Sequence, residues 1–457
     1  MAQPSVAFRP ESEASALAGR VVGELLRRSA AARALAEKLF GIGVRLADCI
    51  DVLGIPGSAE LRRELETHGF ERVEAGLAPS GTELWEHHRA MLPLFELTAG
   101  GKLGATVRVE SVIDYLVASG LEHGEIEGEP GSLVRRVRIG DEPQAELWLA
   151  ERRAERQRVA GRALPEPGPG LAAMLRHLEA FRLRPRPLST PERGFEAALT
   201  LARAARAELG DALACELFFD AERRFYERRN TAARLQKARQ DALGVGWFNH
   251  DHHTYRSSRA HFPALVAVLE ALGLVCRERF YAGRDAGWGA QVLEHPTTGI
   301  CVFADVDLSP EEVTGDFAHS GLPARDGAGT VGLWCELHGE AFLAAGMHHL
   351  ECQFDIATIT RQLEERGVRV MPRFSDFPHL LQAFTQGELW PVARERLERA
   401  VHRGLMSAAQ AERLEREGAL GSHFEILERN LGYKGFNQDG INRIILATDP
   451  RHADRVA

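Results

Sequence analysis

Histidine is concentrated in two short stretches of this 457-residue chain, 249-NHDHHTYR-256 and 347-MHHLECQF-354. Both read as strands, in which alternate residues share a face. In the first, His250, His252, Thr254 and Arg256 fall on one face, and Asn249, Asp251, His253 and Tyr255 on the other. In the second, His349, Glu351 and Gln353 share a face; a third strand-like stretch, 423-HFEILERN-430, groups His423, Glu425, Leu427 and Arg429. Two neutral imidazoles and one carboxylate that leave three adjacent positions open form the facial triad of non-haem Fe(II) oxygenases. A chelating 2-oxo acid would take two of those positions through its carboxylate and keto oxygen, and molecular oxygen the third. A lone strand histidine is more often a hydrogen-bonded core or surface residue, and His250, His253 and His348 each fit that description.

Such side chains need a scaffold to converge, and the chain repeats one: a short strand, an amphipathic helix ending near Gly, then further strands. The first copy runs from KLFGIGVRLADCI through the helix SAELRRELETHG to FERVEAGL and TELWEHHRAMLPLFEL. The second has KLGATVRVESV, the helix IDYLVASG, then LEHGEIEG, SLVRRVRIG and AELWLAERR. The third opens at VGWFNHDHHTYRS, with the helix FPALVAVLEALG followed by LVCRERFYAG, WGAQVLEH and GICVFADVDL. The fourth opens at MHHLECQF, with the helix IATITRQLEERG and the strand VRVMPRF; Pro378 to Glu417 then reads as helices before HFEILERN closes it. Repeats of this βαβββ kind resemble the vicinal oxygen chelate superfamily, in which two modules pair into an open, cupped sheet around a metal. The expected fold class is therefore α+β, with cupped mixed sheets and helical N-terminal and linker segments. The expected domains are an N-terminal helical segment (1–37), a degenerate metal-free module pair (38–153), a Pro-rich linker with helices (154–243) and a metal-binding module pair (244–457).

From about Gly246 to the end, the chain resembles the 2-oxoadipate dioxygenase/decarboxylase family of that superfamily. The matching residues are Asp251-His252 with Arg256 four positions on, His348-His349 before a strand, and Phe424-Glu425-Ile426 near the C-terminus. The stretches CVFADVDLSPEE and GYKGFNQDGINRIIL, the latter with a Gly-Phe pair and a closing helix, sit where the family has a Ser-Pro-Glu turn and its final helix. The resemblance implies Fe(II) held by His252, His349 and Glu425. It also implies oxidative decarboxylation of a 2-oxo acid to a shortened 2-hydroxy acid, 2-oxoadipate giving 2-hydroxyglutarate. Arg256, about 13 Å along the strand from His252, would clamp the distal carboxylate of a dicarboxylic substrate. His250 and Glu351 are candidate groups behind the ligands that fix their orientation.

Two departures qualify the match. Helices over Leu380 to Glu417 replace a hairpin expected between the second His and the Glu. The N-terminal pair lacks a ligand His, Gly104 standing four residues before Arg108 where one would be expected. HGFER, with His68, mimics the His-plus-Arg pattern at a helix end, and His87 and His88 lie nearby. A fourth ligand from CELHGE, His338 or Glu336, would favour a zinc or nickel isomerase or lyase; a ring-cleaving dioxygenase and a non-catalytic protein that sequesters a small molecule are the other readings.

Composition sets the remaining bounds. A net charge of -9 argues against nucleic-acid binding, which needs a basic face, and the Arg135–Arg136 and Arg152–Arg153 pairs read as solvated faces. The six cysteines have no CxxC pair and are expected as reduced thiols. No signal peptide is visible, and no apolar run approaches the roughly 18 residues of a membrane span. The expectation is a soluble cytoplasmic enzyme acting on a small 2-oxo acid and oxygen, with the N-terminal modules left to dimerise, to cap the pocket or to bind a partner.

Overall fold

The computed structural model describes residues 8–73, 81–121, 123–154, 156, 159–160, 168–186, 188–437 and 449–451. The N-terminal sheet contains β1 (Ile50–Pro56), β2 (Glu71–Val73), β3 (Glu83–Glu86), β4 (Leu94–Thr98), β5 (Leu103–Arg108), β6 (Val134–Glu142) and β7 (Ala145–Arg152). Its strand order is β2-β3-β4-β1-β5-β7-β6. The C-terminal sheet contains β8 (His250–Arg256), β9 (Val275–Tyr281), β10 (Trp288–Glu294), β11 (Cys301–Asp307), β12 (His349–Gln353), β13 (Ser375–Phe377), β14 (Leu380–Phe384), β15 (Glu388–Trp390) and β16 (Ala419–Arg429). Its order is β13-β14-β16-β12-β8-β11-β10-β9, with β15 also pairing β16.

Each C-terminal module lays its first strand parallel to its last, β8 against β11 and β12 against β16, because a helix carries the chain over the sheet between them. The two modules join where β8 and β12 pair antiparallel, as β1 and β5 do in the N-terminal sheet. The fold is α+β, built from strand–helix–strand modules that pair within each mixed sheet. Local chemistry supports each crossing. Asp355 caps the helix Ile356–Glu364 by accepting from the Thr358 N–H at 2.9 Å, and Ile356, Ile359 and Leu363 bury one face of it. Strand β11 is buried along its whole length, as expected of a strand covered on both faces.

Helices Leu171–Leu183, Pro191–Leu209, Asp211–Glu227 and Thr231–Ala242 form a layer of their own. Part of it packs behind β8, where Phe219 meets the rings of His253 and Tyr255 at 4.7 and 6.4 Å. One buried apolar cluster joins Leu17, Phe95, Leu147, Phe218, Leu269 and Phe424, so the segment between the sheets is part of the packing and not a loose tether. None of the described helices is long and apolar enough to cross a membrane. The six cysteines are unpaired, and five are buried.

Several sequence expectations need correction. KLFGIGVRLADCI is not the first strand: Lys38–Phe40 end the helix Ala30–Phe40, and the ladder begins at Ile50, where the apolar run IDVLGI can be buried. LEHGEIEG has too little apolar surface to hold a strand, and only Glu127 bridges to Arg136. In VRVMPRF only Val370 bridges, to Thr385, and Pro372 has no N–H for a ladder. Leu380 to Glu417 is not helical throughout. A hairpin of β13 and β14 precedes β15, and the helices Arg394–His402 and Ala408–Glu417 are inserted only before β16. Arg136 is buried and the Arg152 side chain is largely covered rather than solvated, on Glu127 at 2.6 Å and Asp51 at 2.7 Å. The closing helix read into GYKGFNQDGINRIIL lies largely outside the described residues.

Glu222 ties the helical layer to the C-terminal half. It is 1% exposed and accepts from Arg184 and Arg186, each at 2.5 Å, and from the Tyr255 hydroxyl on β8 at 3.3 Å. Removing it strands two buried guanidinium groups. Glu222→Ala is expected to cost roughly 3–5 kcal/mol in denaturant unfolding; a loss below about 1 kcal/mol would show that the arginines do not depend on it.

Candidate metal centre

Adjacent strands bring the expected residues together. Glu351, on the middle strand β12, pairs with His252 of β8 on one side and with Glu425 of β16 on the other, while His349 pairs with Thr254 and His423. The ligand atoms of His252, His349 and Glu425 all lie within 4.8 Å of one another. That spread is close to what side chains sharing one ion at about 2.1 Å require. His349 Nε2 is 3.4 Å from Glu425 Oε2, and His252 Nε2 is 2.6 Å from Glu351 Oε2. Glu351 is fully buried, and its position makes it a further ligand candidate beyond the orienting role expected of it.

His250 does not face this site. Between β8 and β12 the register steps from His252 opposite Glu351 to His250 opposite Cys352, leaving Asp251 as the extra residue of a β-bulge. The bulge reverses the alternation: the His250 ring turns toward His253, 5.3 Å away on the other face, and burial, then Arg223, push its pKa well down. Asp251, expected on the far face, instead accepts two bonds from Arg429 at 2.8 and 2.9 Å and one from Gln353 at 2.7 Å. It also lies 3.1 Å from His252 Nδ1, which leaves Nε2 for the pocket. Arg256 lines the pocket, and the carboxyl that acts on it most strongly is Asp305, its register partner on β11. Among the described residues it has no ion pair within 4.0 Å, and its Nε has no partner.

Asp251, His252 and Glu351 form a second possible donor group in the same cluster, while the alternative ligands expected from the sequence fall elsewhere. His338 Nε2 donates to the Leu420 carbonyl at 3.0 Å, and Glu336 pairs with Arg399 and Arg403 at 3.0 and 2.6 Å. His68 caps the helix Ala59–Thr67 in the other half of the chain. His253 and His348 are buried in hydrogen-bonded or aromatic settings, as read from the sequence. The residue missed altogether is Gln382, which donates to Glu425 at 3.1 Å and to Glu351 at 3.3 Å from β14. Reading LLQAF as an alternating strand would have found it.

Electrostatics test whether the residues suit a cation. Burial, then the neighbouring Glu351, push the Glu425 carboxyl well above its usual range. Burial, then His252, push His349 well below its usual value. Burial disfavours the charged form of His252 too, but Glu351 and Asp251 outweigh it and hold the ring at about 9. Burial raises Asp305 to about 7, with Arg256 and His252 opposing. Glu351 Oε2 has no partner in hydrogen-bond geometry despite its short approach to His252, and His349 Nδ1 has none either. Two carboxyl groups beside two imidazoles are a donor set that a divalent cation would satisfy. The pocket wall is aromatic: Phe303 and Phe436 stand 4.7 and 5.2 Å from the His252 ring, and Phe384 5.3 Å from His349.

No family model matches the sequence, and no curated protein does. Similar solved structures include a glyoxalase superfamily protein from Ralstonia eutropha JMP134, at 12% identity over 58% of this chain and 96% of that one, with a TM-score of 0.32. A variant of 4-hydroxymandelate synthase from Streptomyces coelicolor matches at 11% identity over 89% of this chain and 98% of that one, TM-score 0.27. A catechol 2,3-dioxygenase matches at 10% identity over 86% and 90%, TM-score 0.19.

His252 gives the metal-free protein a pH signature. A ring held at about 9 binds its proton more tightly folded than unfolded, where the value is about 6.5. Its contribution is complete below about pH 6.5 and is lost as pH rises through about 9. Melting curves of metal-free wild type and His252→Gln should therefore differ most near pH 6 and converge toward pH 10. A gap that stays constant across that range would refute the assignment.

Proposed function

We propose that this chain is a non-haem Fe(II) dioxygenase, with the metal on His252, His349 and Glu425, that oxidatively decarboxylates a dicarboxylic 2-oxo acid. The observation that carries the reading is the convergence of those three donors beside a pocket whose arginine, Arg256, makes no ion pair within 4.0 Å among the described residues and leaves Nε without a partner. Bound Fe(II) would supply polarisation of the keto group and activation of oxygen beside it. The chain's own residues do the rest. Asp251, anchored by Arg429, holds the His252 ring by Nδ1, and Gln382 fixes the Glu425 carboxyl. Arg256 receives the distal carboxylate, and the aromatic wall keeps bulk water from the reacting carbons.

A second reading rests on Glu351. If its carboxylate joins the other three as a fourth protein ligand, fewer positions stay open for oxygen and substrate together, which suits a metal-dependent isomerase or lyase. The two readings part on one experiment: anaerobic Fe(II) reconstitution followed by oxygen-consumption assays with 2-oxo acids of different length. The oxygenase reading expects uptake coupled to carbon dioxide release, abolished in His349→Ala and Glu425→Ala along with iron content. Iron-loaded protein that consumes no oxygen with any 2-oxo acid would sink it. Arg256→Met should raise KM for dicarboxylic 2-oxo acids at least tenfold, the equivalent of about 1.5–3 kcal/mol for a charged hydrogen-bonded pair, and leave monocarboxylic ones nearly unchanged.

A further inference from the structure

The other face of β8 borders a second cavity. A cleft of about 770 Å³ lies where β5, β7, the helices Leu171–Leu183 and Asp211–Glu227 and the start of β8 meet. Arg108, Arg223 and His250 line it. Arg223 is 5% exposed and, among the described residues, makes one hydrogen bond, at 3.4 Å to the His253 ring, and leaves Nε without a partner. Arg108 Nε and His250 Nδ1 are likewise buried and unpartnered. Among the described residues neither arginine has a carboxylate within 4.0 Å; Glu216 lines the same cleft without forming an ion pair at that distance. Nearby cations are already matched, Arg152 by Asp51 at 2.7 Å and Arg153 by Glu151 at 3.0 Å. Asp51 and Glu216 offset this charge from a distance without pairing directly with either arginine; a buried guanidinium that lacks a direct carboxylate partner is costly, and an incoming oxyanion relieves that cost through planar, charge-assisted hydrogen bonds. Exposed apolar side chains also line it, beside charged ones such as Arg182 and Arg224. Val117, Leu175 and Leu171 line the cleft while 78%, 54% and 44% exposed.

We infer that this cleft binds a small amphiphilic anion, its carboxylate or phosphate head on Arg108, Arg223 and His250 and its apolar tail along Val117, Leu171 and Leu175. The site is independent of the metal centre, because the Asp251 bulge puts His250 and His252 on opposite faces of the strand. It gives the N-terminal modules, which supply Arg108 and Val117, a ligand of their own.

Isothermal titration of the full-length protein with octanoate, octyl phosphate and inorganic phosphate tests this. At least one of the two octyl compounds should bind saturably and at least tenfold more tightly than inorganic phosphate, and the tighter of the two names the head group. Arg223→Met and Arg108→Met should each weaken that binding at least tenfold. Val117→Asn, at an exposed helix position, should weaken the octyl ligand while leaving inorganic phosphate unchanged, and it decides the matter if an arginine variant fails to fold. Absence of saturable binding by both amphiphiles, or binding untouched by all three substitutions, would overturn the inference.

Discussion

Everything at the candidate centre depends on the antiparallel seam between β8 and β12. The seam joins two modules end to end, so His252 comes from one, and His349, Glu351 and Glu425 come from the other. Strand β16 then completes the row because its parallel pairing with β12 places Glu425 level with Glu351. Backbone hydrogen bonds thus set the spacing of the side chains, and no loop has to be held in place to assemble them. The N-terminal sheet has the same seam, but there Gly54 faces Gly104, and neither can contribute a donor.

The cluster is electrostatically crowded by design of its surroundings. His252, Glu351 and Glu425 are buried and His349 is largely covered, so each charge is felt strongly by its neighbours. Asp251 and Arg429 form an outer ion pair on which the cluster leans. Burial alone would raise the Asp251 carboxyl, yet Arg429 and His252 hold it well below its usual range. The permanent anion thus stands behind His252, where it orients the ring, while the pocket side keeps groups whose charge an ion can compensate.

Much of this was legible in the residues. Period-two grouping placed His349 with Glu351 and Gln353, and His423 with Glu425 and Arg429, and the structure keeps those faces. The repeated strand–helix–strand pattern gave the module topology. What could not be read were features that depend on partners distant in sequence. Period-two reasoning fails for His250 because a bulge is a property of two strands in register, not of one. The polar run around LLQAF looked helical because Glu- and Arg-rich helices follow it immediately, which hid Gln382. Arg136 and Arg152 looked solvated because the acids that bury them, Glu127 and Asp51, lie on other segments.

The extra residue at Asp251 also bears on how related chains should be compared. In a strand without it, the imidazole two places before the pocket-facing one would share its side of the sheet. Counting positions along β8 by twos would then nominate residue 250 as a donor, when this backbone turns it to the rear. Any alignment across this strand must therefore place its gap at residue 251, or it will pair residues that face the pocket in one protein with residues that face away from it in another.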